Sequence, residues 1–341
     1  MENFINYVKI NNFKSILDLE LEGCKRINLF IGYPNVGKSN VLEALSLFSL
    51  SYLHEGENIN KLIRVENANE LFFDNRIKSC FVADYNRKVE LKADSFIVRT
   101  NSMNAERKYF LSAKLNITKC IETFFPMGSS RSTFYSDNQT AHVKKYTYSF
   151  NPSWISNDDL SLSQPHGENI VNVLSYNPDL SEVVEWVRKE FLKYKLELVL
   201  DLSSNSLKVQ QRLDGGKVKQ LPYSSIADTL QRVIFYKTAI ASNKNSVLLF
   251  EEPEAHAFPP YIGNIMQDII KAQTNQFFIV THSPFVVQDF LEYEHLRRET
   301  SIYLFDFKNN QTTVKRLTDE EMDEVYEYGI DLFYNIESFL E

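Results

Sequence analysis

Apolar positions along the chain change period several times, and each change predicts a different element. Tyr7 to Ile10, Ile16 to Leu21 and Arg26 to Ile31 read as strands separated by turns. After the loop Gly32 to Ser39, the apolar residues Val41, Leu42, Leu45 and Phe48 fall on one face of a helix. From about 71 to 150 short β-rich runs, Cys80 to Ala83 and Ser95 to Val98, alternate with polar turns, and Gly128 to Ser132 reads as a loop. Helical spacing returns after Pro165, with Ser181 as an N-cap ahead of Val183, Val184, Trp186, Val187, Phe191 and Leu192. A hairpin of Leu196 to Leu200 and Leu207 to Leu213 follows, with a turn at Asp214-Gly215-Gly216. Val247 to Phe250 and Phe277 to Val280 are unbroken apolar runs, as expected of strands buried on both faces. Ile302 to Asp306 predicts a last strand, and Asp319-Glu320-Glu321 opens an acidic helix. No internal repeat and no sustained heptad pattern is present.

With 341 residues the chain is long enough for one large domain or two lobes around a substantial core. Hydrophobic residues make up 43% and aromatic residues 13%, which places it among globular rather than disordered chains. The net charge of -8 and the lack of a basic tail argue against DNA binding by bulk charge, while a local basic patch stays open. Cys24, Cys80 and Cys120 are isolated, which favours buried thiols in a reducing compartment over disulfides or zinc. No signal peptide or membrane-length apolar run is visible, so the expected setting is cytoplasmic, with no membrane partner.

The candidate chemistry begins with GYPNVGKS, which fits GxxxxGK[ST] between a predicted strand and a predicted helix. Glycines let the backbone approach phosphates closely, and the helix N-terminus then faces the anion. The expected nucleotide contacts are Gly32, Pro34, Asn35, Val36, Gly37, Lys38, Ser39 and Asn40. Lys38 would meet the β/γ-phosphates, and the Ser39 hydroxyl would ligate Mg²⁺. VLLFEEPE then reads as the Walker B strand: Glu251 holds Mg²⁺ and Glu252 polarises the attacking water. Two adjacent carboxylates at a strand end make sense beside a cation and phosphates. Glu254 is either a further site acid or an exposed turn residue. Thr281-His282-Ser283-Pro284 closes the next buried run, which suits His282 to the γ-phosphate or its water, while His256 lacks that setting.

Taken in this order, Asn12-Phe13-Lys14-Ser15, the P-loop, FEEPEAHAFPPY and VTHSP resemble the ABC-type ATPase heads of the SMC, RecF and OLD group. The resemblance implies an α/β P-loop NTPase with an ABC/SMC-head-like mixed sheet and an inserted α+β lobe. Residues 1–70 and 211–341 would form the ATPase core, and residues 71–210 the lobe, where a partner would bind. It also implies ATP and Mg²⁺ as cofactors, Lys14 near the nucleotide, and a sandwich of two heads completed by a signature segment in trans. The corresponding segment here is Pro222 to Arg232, with Ser224, Ser225 and Asp228 as its candidates. Ala227-Asp228-Thr229 departs from the family's glycine, so a trans-acting role and a simple Ser/Asp helix cap both stand. No glutamine stands out for the Mg²⁺-sensing loop after the P-loop helix.

SMC proteins interrupt the head with a long coiled coil, and OLD nucleases follow it with a Toprim domain. Neither pattern is present in this sequence, so the expected effector is a separate nuclease or toxin. The resemblance thus implies an ATPase forming a homodimer or higher homo-oligomer that gates this effector, as in bacterial anti-phage systems. The alternatives are a RecF-like clamp on duplex DNA and a slowly hydrolysing or non-hydrolysing ATP-dependent scaffold.

Overall fold

The structure is a computed structural model that describes residues 4–52, 58–75, 79–85, 87–92, 95–100, 105–111, 117–124, 142–149 and 159–340. The strands of the first half are β1 (Tyr7–Phe13), β2 (Ile16–Glu22), β3 (Ile27–Gly32), β4 (Ser79–Ala83), β5 (Arg87–Lys92), β6 (Ser95–Thr100), β7 (Ala105–Leu111), β8 (Ile117–Phe124) and β9 (Val143–Tyr146). Those of the second half are β10 (Leu196–Asp201), β11 (Ser206–Arg212), β12 (Val218–Pro222), β13 (Val247–Glu251), β14 (Gln276–Val280), β15 (Thr300–Lys308) and β16 (Gln311–Arg316). The α-helices are α1 (Lys38–Ser46), α2 (Ile170–Tyr176), α3 (Ser181–Lys193), α4 (Asp228–Ala241), α5 (Pro259–Lys271), α6 (Pro284–Leu291), α7 (Glu294–Glu299), α8 (Asp319–Glu327) and α9 (Ile336–Leu340).

Packing divides the chain into two compact units. The first comprises residues 1–145, 245–251 and 276–341. Among its described residues a mixed sheet runs β16-β15-β3-β14-β13-β9. β3, β14 and β13 are parallel neighbours, β15 joins β3 in parallel, and β16 returns antiparallel. Burial of β3, β14 and β13 along nearly their whole length explains their unbroken apolar sequences. A second, antiparallel sheet runs β2-β1-β4-β5-β6-β7-β8. One apolar core fills the space between these sheets and α1, with Val8, Ile10, Leu42, Leu45, Leu249 and Phe278 inside it.

The second unit comprises residues 146–244 and 252–275 and holds α2 to α5 with the sheet β10-β11-β12. Its helices are fastened by aromatic and ionic contacts: Trp186 meets Tyr261 edge-on, and Lys237 lies over Trp186 while pairing with Asp268 at 2.7 Å.

Residues 71–210, expected as one inserted lobe, straddle the boundary between the units. β4 pairs with β1, so this part of the β-rich stretch extends the N-terminal sheet. The helical face expected to run through Phe48 is shorter, because α1 gives way to a 3-10 turn at Leu47–Tyr52. Ser181 is the first residue of α3 rather than its side-chain cap, since a 3-10 turn at Pro178–Leu180 leads directly into that helix. The Gly128 to Ser132 loop lies outside the described residues. Cys24 and Cys80 are free and buried, and burial pushes the Cys24 thiol up to about 12. The side chain of Cys120 lies outside the described residues. Among the described residues no helix is long and apolar enough to cross a membrane.

Candidate nucleotide-binding site

The register of the mixed sheet sets the site's level. Glu251 lies opposite Val280, and Val280 opposite Phe30. Gly32 at the end of β3 and His282 beyond β14 each follow that level by two residues, so they emerge at the carboxyl edge where Glu251 ends β13. Ligands of open α/β sheets bind at this edge.

The loop from Gly32 to Ser39 turns through Asn35 at φ 63° and Gly37 at φ 98° before α1 begins. Both φ values lie in the left-handed region, and only glycine fits at the second position. A Cβ on Gly37 would stand 2.0 Å from Thr312 Oγ1, and one on Gly32 would stand 2.6 Å from the Phe305 carbonyl oxygen. Ser15 and Thr312 hydroxyls lie 2.7 Å apart, and Asn40 Nδ2 donates to Ser15 Oγ at 2.7 Å. The N-terminal turn and β16 therefore brace the loop from outside. Within it, the buried Lys38 donates from Nζ to the carbonyls of Gly32 and Tyr33, each at 2.7 Å. Tyr33, Pro34 and Asn35 are exposed, Val36 is buried, and Gly37, Ser39 and Asn40 are half-buried.

Lys14 stands in the turn between β1 and β2. At φ 49°, its Nζ pairs with the Glu43 carboxylate and donates to the Arg64 carbonyl at 2.8 Å. Glu43, on α1, is wholly buried and also accepts from Arg64 Nε at 2.6 Å. Arg64 reaches further, with a terminal nitrogen 3.2 Å from Glu251 Oε1. Burial pushes the Glu43 carboxyl up, but the charges of Lys14 and Lys145 and the hydrogen bonds from Lys14 and Arg64 outweigh it, leaving its pKa below the ordinary value. Burial lowers the pKa of Lys145, against the opposing pull of Glu43 and Glu251. Sequence reasoning missed this cluster. Its one local trace is a carboxylate inside the apolar run of α1, where residues 41 to 46 are all buried.

Replacing Glu43 by glutamine leaves the half-buried Lys14 and the buried Lys145 facing a neutral amide. Glu43→Gln is expected to lose about 3 kcal/mol of stability near neutral pH. Because the folded pKa is depressed, the wild-type advantage is present above the ordinary carboxylate pKa and fades as pH falls through the folded value. Urea melts of both proteins from neutral into acid pH check the magnitude and the sign.

Glu252 follows Glu251 by one peptide bond and is half-buried, with a left-handed φ of 46°. His282 is exposed, next to the buried Thr281, whose Oγ1 accepts from the Ser283 amide at 3.1 Å. Glu254 is buried, which removes the exposed-turn alternative. His256 is exposed at φ 57°, and its carbonyl accepts from Thr229 Oγ1. Ser224 and Ser225 form a 3-10 turn in the second unit, and Asp228 opens α4 there. Ala227 is the N-cap and no side chain caps the helix; Asp228 instead pairs with Arg232 at 2.6 Å. The Ser/Asp cap reading of this segment therefore does not hold.

The profile of the AAA ATPase domain family matches residues 4–220, more than half of the chain. The DNA replication and repair protein RecF of Clostridium tetani is 22% identical over 240 residues, covering 64% of this chain and 65% of RecF. The chain thus spans just under two thirds of that relative. An ATP/GTP phosphatase of Helicobacter pylori is 20% identical over 330 residues, 84% of this chain and 86% of its own. Among solved structures, the Smc head with an extended coiled coil bound to the C-terminal domain of ScpA, from Pyrococcus furiosus, superposes with a TM-score of 0.52 at 13% identity. That match covers 95% of this chain and 99% of the Smc head. A SmcHead bound to the C-winged helix domain of ScpA gives 0.51 at 14% identity, over 93% and 99%. The structures share the P-loop ATPase fold of SMC heads, and the braced Gly32 to Ser39 loop lies inside the family match. On these grounds the chain belongs to the AAA ATPase domain family.

Proposed function

We propose that the chain binds Mg-ATP at the Gly32 to Ser39 loop, hydrolyses it, and uses the nucleotide to assemble into a dimer or larger homo-oligomer that gates a separate effector. The observation that carries this reading is the shared carboxyl edge of β3, β14 and β13, where the P-loop, His282 and Glu251 emerge together. The contacts of Lys38 with Gly32 and Tyr33 keep an ammonium inside the loop mouth, where it can turn to the β/γ-phosphates. The amides at the start of α1 face the same anion.

Ser39 and Glu251 offer a hydroxyl and a carboxylate, hard oxygen donors of the kind Mg²⁺ prefers, and phosphates and water complete such sites. The ion would neutralise charge developing on the phosphates. Glu252 is the base that orients the attacking water, and His282 contacts the γ-phosphate or that water. Ser224, Ser225 and Asp228 are the candidates for completing a neighbouring subunit's site.

The effector would be a nuclease or toxin of a cytoplasmic anti-phage system, docking on residues 71–210. A second reading, a RecF-like clamp on duplex DNA, is favoured by the RecF relative. Solution mass with and without Mg-ATP, alone and with duplex DNA, tests both. A rise in mass with Mg-ATP alone supports the assembly, and a further DNA-dependent shift supports the clamp. Unchanged mass together with no ATP turnover would sink the proposal.

A further inference from the structure

Arg64 occupies an unusual place between the P-loop helix and the Walker B strand. Its Nε holds Glu43 on α1 at 2.6 Å, and a terminal nitrogen holds Glu251 Oε1 at the end of β13 at 3.2 Å. The Glu43 side chain is wholly buried, that of Glu251 is 16% exposed, and that of Arg64 is 63% exposed. Lys14 Nζ fixes the Arg64 backbone by donating to its carbonyl, so the guanidinium is tethered at its root and at Nε while a terminal nitrogen reaches Glu251.

The Glu251 oxygen engaged by Arg64 belongs to the carboxylate assigned to Mg²⁺. A guanidinium and a divalent ion on one carboxylate repel each other and compete for the same lone pairs. Glu43 gives Arg64 a resting partner when it lets Glu251 go, because the Nε bond does not depend on the Glu251 bond. The exposed side of the guanidinium leaves it room to move. Lys145, whose charge acts on both Glu43 and Glu251, adds to the positive charge around the two carboxylates.

We propose that Arg64 is a positioning residue that holds Glu251 in an ion pair when Mg²⁺ is absent and yields it, pivoting on Glu43, when the Mg-nucleotide binds. Mg²⁺ binding and release of the Arg64–Glu251 contact are then one exchange, and nucleotide alone does not trigger it. This rests on the reading of Ser39 and Glu251 as the metal side of a nucleotide site.

The test is a Mg²⁺ titration of fluorescent ADP binding, with a parallel measurement in EDTA, for wild type, Arg64→Gln and Arg64→Lys. Thermal unfolding of each variant checks that the fold persists. With its competitor removed, Arg64→Gln should reach half-saturation at a Mg²⁺ concentration about twofold to fivefold lower than wild type, the scale of a partly exposed ion pair. ADP affinity in EDTA should not rise. Arg64→Lys keeps a charge but not the fork, and its midpoint should fall between the other two. An unchanged or higher Mg²⁺ midpoint in Arg64→Gln would overturn the proposal. So would equal weakening in EDTA and in Mg²⁺, which would make Arg64 a direct phosphate contact. Wild-type protein that binds no ADP under either condition would instead remove the nucleotide-site reading, and this proposal with it.

Discussion

Lys38→Ala is expected to abolish measurable nucleotide binding, with affinity falling at least about a hundredfold, equivalent to some 3 kcal/mol. Lys38 is 5% exposed, and its ammonium lies within the loop it would close on a triphosphate. Alanine removes the charge and leaves the helix dipole and backbone amides as the remaining attraction for the phosphates. The cost to the fold is small by comparison. Two hydrogen bonds to the carbonyls of Gly32 and Tyr33 are lost, but Tyr33 is exposed and water can replace part of them. Calorimetric titration with ATP, set beside a thermal melt, separates the two effects. Tight binding by a folded Lys38→Ala protein would overturn the phosphate role of this lysine.

Glu252→Gln should do the opposite: bind ATP as wild type does, yet turn it over about a hundredfold to ten-thousandfold more slowly. Glutamine preserves the shape of the side chain but cannot take a proton from water. The backbone supports a demand on position, since Glu252 adopts φ 46°, a conformation that residues with a Cβ rarely occupy without a constraint. The same variant should accumulate the nucleotide-bound assembly, visible as a larger mass in Mg-ATP that decays far more slowly than in wild type. Wild-type turnover by Glu252→Gln would remove the residue from catalysis. Slow turnover with no change in mass would keep the catalytic assignment and remove the nucleotide-driven assembly.

The elements that position the site are legible in the amino-acid sequence, for local reasons. A strand buried on both faces must be apolar throughout, so Val247 to Phe250 and Phe277 to Val280 announce β13 and β14. A backbone that wraps a phosphate needs glycine where φ is positive and a second chain segment passes close, which Gly37 satisfies against Thr312. Such requirements fall on neighbouring residues, and a motif records them. Sequence alone therefore determined the P-loop, the buried strand that ends at Glu251 and the α/β class, and proposed the roles of Lys38, Ser39, Glu251, Glu252 and His282.

Only the tertiary structure decided who else stands at the site. Ser15 meets Thr312 across 297 positions, Arg64 meets Glu251 across 187, and Lys14 meets Glu43 across 29. No local pattern encodes these pairs, because a charge in a sequence does not say whether it ends in water or against another charge. The same holds for β4, which looks like the start of a separate lobe yet pairs with β1, and for β15, which completes the sheet beside β3. Local sterics and burial write the motifs into neighbouring residues, whereas long-range electrostatics and strand pairing exist only once the chain has closed on itself.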